Sequence, residues 1–285
     1  MIDHTVALPY WDSTLDSRIP NPSESCLFSA ELMGETDRNG NVITGFTSRW
    51  NIDGRPYLKR QPGAQGRPFT EADIAAVMQR EDVSSILAYT APRPGCEHQT
   101  DWTCLEYSHG NVLIFVGGEM FHQMTSANDP LFFLHHAFVD RIWEDWRKLR
   151  QSAIARSLAY PPDLPNCSSE DHFARSPMRP FAPLRNIDGI SNRYTSNLYT
   201  YAPRPSCSRG HDQQCASEFL FCDLSHGPPQ CAAKIRIGGP CWGFVNGERP
   251  CLHSECTENI CIPVKVCSSF ILEQIRSLIF SVAII

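Results

Sequence analysis

No apolar run in this chain is long enough to cross a bilayer. The greasiest stretch, LIFSVAII at the C-terminus, has eight residues and follows closely on Glu273 and Arg276, whereas a spanning helix needs ~20. Basic runs are also missing. With 25 Lys and Arg against 31 Asp and Glu the net charge is −6, and nothing in that balance points to nucleic acid as a partner. The opening MIDHTVALPYWD has no basic segment leading into an apolar one, so no signal peptide is expected within the chain. Paired Cys-x-x-Cys units are absent, which disfavours zinc. No internal repeat is visible.

Cysteine, by contrast, is abundant. Of the thirteen, eight fall in one short stretch: Cys207, Cys215, Cys222, Cys231, Cys241, Cys251, Cys256 and Cys261. That density among glycines and prolines reads as a disulfide framework, hence an oxidising compartment and secretion. Cys26, Cys96, Cys104 and Cys167 precede the cluster and could form two further bridges, leaving Cys267 odd. The pairing cannot be read from spacing. A disulfide-rich chain without a leader is expected to be one whose start is missing.

At 285 residues the chain is long enough for one or two domains. The expected division is residues 1–205, then a cysteine module at 206–267, then a short tail at 268–285. Thr70 and Asp73 open a short helix as a Thr-x-x-Asp cap. The strongest helical signal is DPLFFLHHAFVDRIWEDW, Asp129 to Trp146. Apolar residues recur there at helical spacing, Asp129 suits the N-cap, Pro130 the first position, and Lys148 and Arg150 the last turn. Long amphipathic helices are otherwise few in the first 200 residues.

That helix raises a question of its own, because His135 and His136 sit in or beside its apolar stripe. A buried imidazole left without partners costs ~1–3 kcal/mol. One resolution is a core histidine bonded to backbone, or to Asp140 one turn on. The other is metal, for which imidazole is the commonest ligand.

SHGNVLIFVGG followed by NDPLFFLHHAFVDRIWEDW resembles the copper B half of a tyrosinase. VALPYWDST, Val6 to Thr14, is similar to the segment that follows the copper A half. The resemblance runs over about residues 5–205, and the cysteine tail is similar to modules appended to secreted invertebrate tyrosinases. It implies a mainly α fold, a partial helical bundle with long loops, beside the small disulfide module. It also implies copper, with phenols or catechols and dioxygen as small-molecule partners; imidazole suits copper, which tops the first-row affinity order.

Carried over by position, His109 and His136 are copper B ligands. His135 is a packing residue or a support to the ligands, with the reverse assignment of the pair as the alternative. Asp140 orients a ligand from behind. Two departures accompany the match. Leu113 stands four residues after His109, where the family has its second histidine. Gly110 stands where an Asn often helps deprotonate monophenols, which favours catechol oxidation over phenol hydroxylation. No copper A histidines precede Val6, since only five residues stand there. His98, His122, His172, His211, His226 and His253 read as surface or structural, His98 being the one that could approach His109.

These features imply a copper oxidoreductase, represented by a piece that does not turn over catechols. The alternative is a secreted pseudoenzyme, a disulfide-stapled binding or structural protein on the same scaffold. A dioxygen carrier fits the length and the cysteine tail poorly.

Overall fold

A computed structural model describes residues 6–210 and 215–264. Six α-helices occur among them: α1 Glu71–Gln79, α2 Leu105–Ser108, α3 Gly110–Val116, α4 Pro130–Arg150, α5 Ala153–Leu158 and α6 Arg193–Asn197. Four short strands follow: β1 Leu220–Asp223, β2 Gln230–Ala233, β3 Ser254–Thr257 and β4 Ile260–Pro263. Most described residues lie in turns, single-turn 3-10 helices and loops, so the expectation of a mainly α fold is corrected. Only α4 is long. The others are too short to form a bundle around it, and α4 is packed largely by irregular chain. No helix among the described residues is long and apolar enough to cross a membrane.

Local sequence explains α4. Asp129 is its N-cap, and its Oδ1 accepts the Leu131 amide at 2.9 Å. Pro130 follows at the first helical position, where a missing N–H costs nothing. Arg147, Lys148 and Arg150 close the last turn. The cap is also held from outside. Arg60 donates to both carboxylate oxygens of Asp129, at 2.6 and 2.9 Å, and both side chains are fully buried. The helix start is thereby tied to a loop 69 residues upstream.

The buried stripe of α4, with Leu131, Phe138, Ile142 and Trp146, packs on Trp11, Phe69 and Ile86 in the main core. From the other side Leu105, Val112, Phe115 and Val116 bring α2 and α3 against the same core. α1 starts with the reciprocal cap expected of Thr70 and Asp73. The Gly117-Gly118 pair ends α3 with φ of 67° and 56°. A Cβ on Gly118 would lie 2.0 Å from the Lys59 carbonyl oxygen, so the close passage of that loop needs glycine.

The cysteine module contains two like halves. Cys207 pairs with Cys222 and Cys215 with Cys231; Cys241 pairs with Cys256 and Cys251 with Cys261. In each half the first cysteine joins the third and the second joins the fourth. Each half also carries one antiparallel hairpin with two cysteines in register, Cys222 opposite Cys231 and Cys256 opposite Cys261. The module is thus internally repeated, which the sequence did not reveal. The halves differ in the lengths of chain their bridges span, 15 and 16 residues against 15 and 10. Residues 15–33 pack onto it. The Cys26 amide donates to Lys234 O at 2.7 Å, the Ala233 amide to Leu15 O at 3.0 Å, and Arg18 pairs with Asp223.

One bridge forms among the earlier cysteines, Cys96–Cys167, where their number allows two. Cys26 and Cys104 are buried free thiols. Cys26 donates to Phe219 O at 3.3 Å, against the module, while Cys104 stands at the N-cap position of α2 with no side-chain capping bond. The two serve different parts of the fold. Cys267 and His211 lie outside the described residues.

Candidate metal centre

Three imidazoles meet where the α2–α3 junction crosses α4. His109 is the residue between α2 and α3, in helical conformation. Its ring centroid lies 5.8 Å from that of His135 and 5.3 Å from that of His136, and His135 and His136 are 5.3 Å apart. Consecutive residues on a helix diverge by about 100°, which sends the two α4 rings in different directions. His135 is fully buried, set edge-on to Trp11 at 6.2 Å and against Phe69 at 5.9 Å. His136 and His109 are half-buried.

Their hydrogen bonds define which nitrogens are available. His136 Nδ1 donates to the Phe132 carbonyl, one turn back, at 2.8 Å. His109 Nδ1 donates likewise to the carbonyl of Glu106. A carbonyl only accepts, so the proton of each neutral ring sits on Nδ1 and the Nε2 lone pair is free. His135 is reversed. Its Nε2 donates to His109 O at 3.2 Å, and its Nδ1 is buried without a partner. Burial lowers the pKa of all three; for His135 the neighbouring imidazoles lower it further. Neutral rings are what a metal requires of histidine.

Among the described residues, the sets of three possible ligand atoms within 4.8 Å of one another are Cys207, Cys215, Cys231 and Cys241, Cys251, Cys261. All six sulfurs are in disulfides, which removes zinc as a reading of those cysteines. The three histidines do not bring three nitrogens so close. Half-buried Leu113 lies one turn after His109 and packs against the core with Val112 and Phe115.

Asp140 takes a different place from the one expected. It accepts hydrogen bonds from the hydroxyls of Tyr199, at 2.8 Å, and Tyr201. The ring nitrogen it was to orient, on His136, is satisfied by Phe132 O instead. Burial raises the pKa of both tyrosines, and the Asp140 carboxylate raises it further, so both stay protonated donors. The sequence reading missed this strap. Tyr10 OH donates to Ala202 O at 3.1 Å, Arg141 donates to Tyr10 OH at 2.8 Å, and Arg204 reaches Asp12 at 2.6 Å and Thr14 at 2.7 Å. The alternation Tyr199-x-Tyr201 was its one local signal.

His98 lies exposed in a loop cavity with Cys96 and Trp102, and is not part of the histidine group. His122 lines a separate cavity of about 700 Å³ with Arg55, Lys59 and Glu119. Gly110, next to His109, has nothing within 4 Å of where a Cβ would stand.

Residues 1–149 match the family model described as the common central domain of tyrosinase. The tyrosinase-like protein tyr-3 of Caenorhabditis elegans is 45% identical over 262 residues, covering 92% of this chain and 37% of that protein. Tyrosinase-like protein 1 of Margaritifera margaritifera is 34% identical over 236 residues, 78% of this chain and 44% of its own length. The tyrosinase of Streptomyces lincolnensis is 33% identical over 174 residues, 57% of this chain and 62% of its own. The chain therefore spans less than two thirds of each of these relatives. With α2 and α3 and nearly all of α4 inside the matched region, the chain belongs to the tyrosinase family, the family of copper-dependent oxidation of phenols with oxygen.

Proposed function

We propose that α2, α3 and α4 carry the copper B half-site of an oxidoreductase of phenols or catechols, with His109 and His136 as its two imidazole ligands. The supporting observation is the matched state of these rings. Each has Nδ1 tied to a carbonyl of its own turn and Nε2 free. Copper, when bound, supplies the activation of dioxygen; the chain positions the ligands and holds them neutral. His135 is a packing residue whose Nε2 anchors α4 to the α2–α3 junction.

The residues fit copper incompletely. A third imidazole is missing because Leu113 occupies its position, so residues 1–285 alone hold copper weakly and do not oxidise catechols. These residues span 37%, 44% and 62% of the relatives named above. Oxidation of catechols is favoured over hydroxylation of monophenols, since Gly110 offers no side chain beside His109. Residues 206–267 act as a stapled accessory module of a secreted protein. The test is oxygen uptake with a catechol after copper loading. Turnover that survives removal of free metal and disappears in His136→Ala would overturn the claim of inactivity.

A second reading, a pseudoenzyme that keeps the scaffold for binding or structure, is favoured by Leu113 specifically. Copper titration of the parent chain separates the two: weak binding that is lost in His136→Ala supports the half-site, and no binding at all supports the scaffold reading.

A further inference from the structure

Asn-x-Ser/Thr, with x other than proline, is the acceptor pattern for N-linked oligosaccharides in the secretory route. It occurs at Asn21-Pro22-Ser23, where proline rules it out, and at Asn166-Cys167-Ser168. Asn166 is exposed. It stands in a tight turn in which the amides of Cys167 and Ser168 both donate to Leu164 O at 2.9 Å. The five disulfides among the described residues point to an oxidising compartment, where this pattern is read. We propose that Asn166 is an N-glycosylation site whose use competes with closure of the Cys96–Cys167 bridge.

The transfer forms a bond between Asn166 Nδ2 and the anomeric carbon of a lipid-linked oligosaccharide. The bond from that carbon to the lipid pyrophosphate breaks, the amide loses one proton, and the lipid pyrophosphate leaves. No electrons are exchanged with an oxidant.

Competition follows from the middle residue. Cys167 is 3% exposed, bonded to Cys96 across 71 residues, and its carbonyl accepts the Ala91 amide at 2.8 Å. Ser168, the third member of the pattern, is 8% exposed, with its hydroxyl donating to Ser169 O at 3.3 Å. A transferase must hold the three residues in an accessible, extended form. The bridge instead fixes them in a turn with the serine directed inward, so transfer precedes bridging. An attached sugar does not oppose folding afterwards, because Asn166 itself faces solvent.

The experiment expresses residues 1–285 behind a cleavable secretion leader in cultured eukaryotic cells. An amidase that releases the glycan converts the modified Asn166 to aspartate, and the tryptic peptide 157–175 is read by mass. A modified fraction is expected in the parent chain, lost in Asn166→Gln and Ser168→Ala, retained in Ser168→Thr and larger in Cys96→Ser. The cell-retained pool is read beside the secreted one, since transfer precedes folding and a misfolded variant still reports. An unmodified Asn166 in both the parent and Cys96→Ser overturns the site. Equal occupancy in those two overturns the competition. Neither outcome bears on copper.

Discussion

His109 and His136 face each other nearly at right angles, with ring centroids 5.3 Å apart and planes inclined by 74°, and each donates Nδ1 to a carbonyl of its own helical turn. On the proposed reading the two rings share one copper, with Leu113 at its third position.

Leu113→His supplies that third position. Loss of a mere supporting partner costs a metal site 10–100-fold in affinity, so regaining a ligand should tighten copper binding by roughly that factor or more. Without metal the variant should be less stable by about 1–3 kcal/mol, since a polar ring replaces a packed aliphatic side chain. Copper titrations of the parent, Leu113→His and Leu113→His with His136→Ala decide the matter. If the first two bind alike, the placement of the site is wrong.

Asp140→Ala should loosen the strap that crosses α4. It removes the acceptor shared by the exposed Tyr199 and the half-buried Tyr201, at a cost of about 0.5–1.5 kcal/mol. Urea unfolding measures the loss. Copper affinity should hardly change, because the ring nitrogens do not depend on Asp140; a large change would restore it to a ligand-orienting role.

Arg60→Met should be among the most damaging single changes. It leaves the Asp129 carboxylate buried without its cation, and breaking a buried pair costs about 3–5 kcal/mol. The double variant Arg60→Met with Asp129→Asn should recover part of the loss, read from paired thermal melts.

Asp16 predicts an unusual pH dependence. Burial raises its pKa to about 7, against hydrogen bonds from Ser25 and Trp11 that lower it. Its ordinary value is 3.8, so between roughly pH 4 and 7 the folded protein binds a proton that the unfolded chain has released. Stability therefore falls as pH rises through that window, by at most about 1.4 kcal/mol per unit. Asp16→Asn should flatten the slope. Equal slopes for the two proteins, measured by unfolding at pH 4.5 and 6.5, would contradict the assignment.

Alkylation offers a check on the cysteines. Among those described, only Cys26 and Cys104 should react, and only after unfolding, because both are buried. Any native thiol between 207 and 261 would contradict the pairing.

What the sequence determined by itself was local. The cap at Asp129, Pro130 behind it, the apolar period of α4 and the box at Thr70 are short-range effects, and each is where the residues implied. The family was legible too, because a histidine pair within a distinctive helix carries its own signature. Tertiary structure decided the rest, since it depends on residues far apart in the chain. Asp140 and His136 are one turn apart, yet a tyrosine strap some 60 residues later claims the carboxylate. The main-chain carbonyls that fix the ring tautomers leave no trace in residue identity. The two halves of the cysteine module share a pairing order but not a spacing, so only closed bridges reveal the repeat.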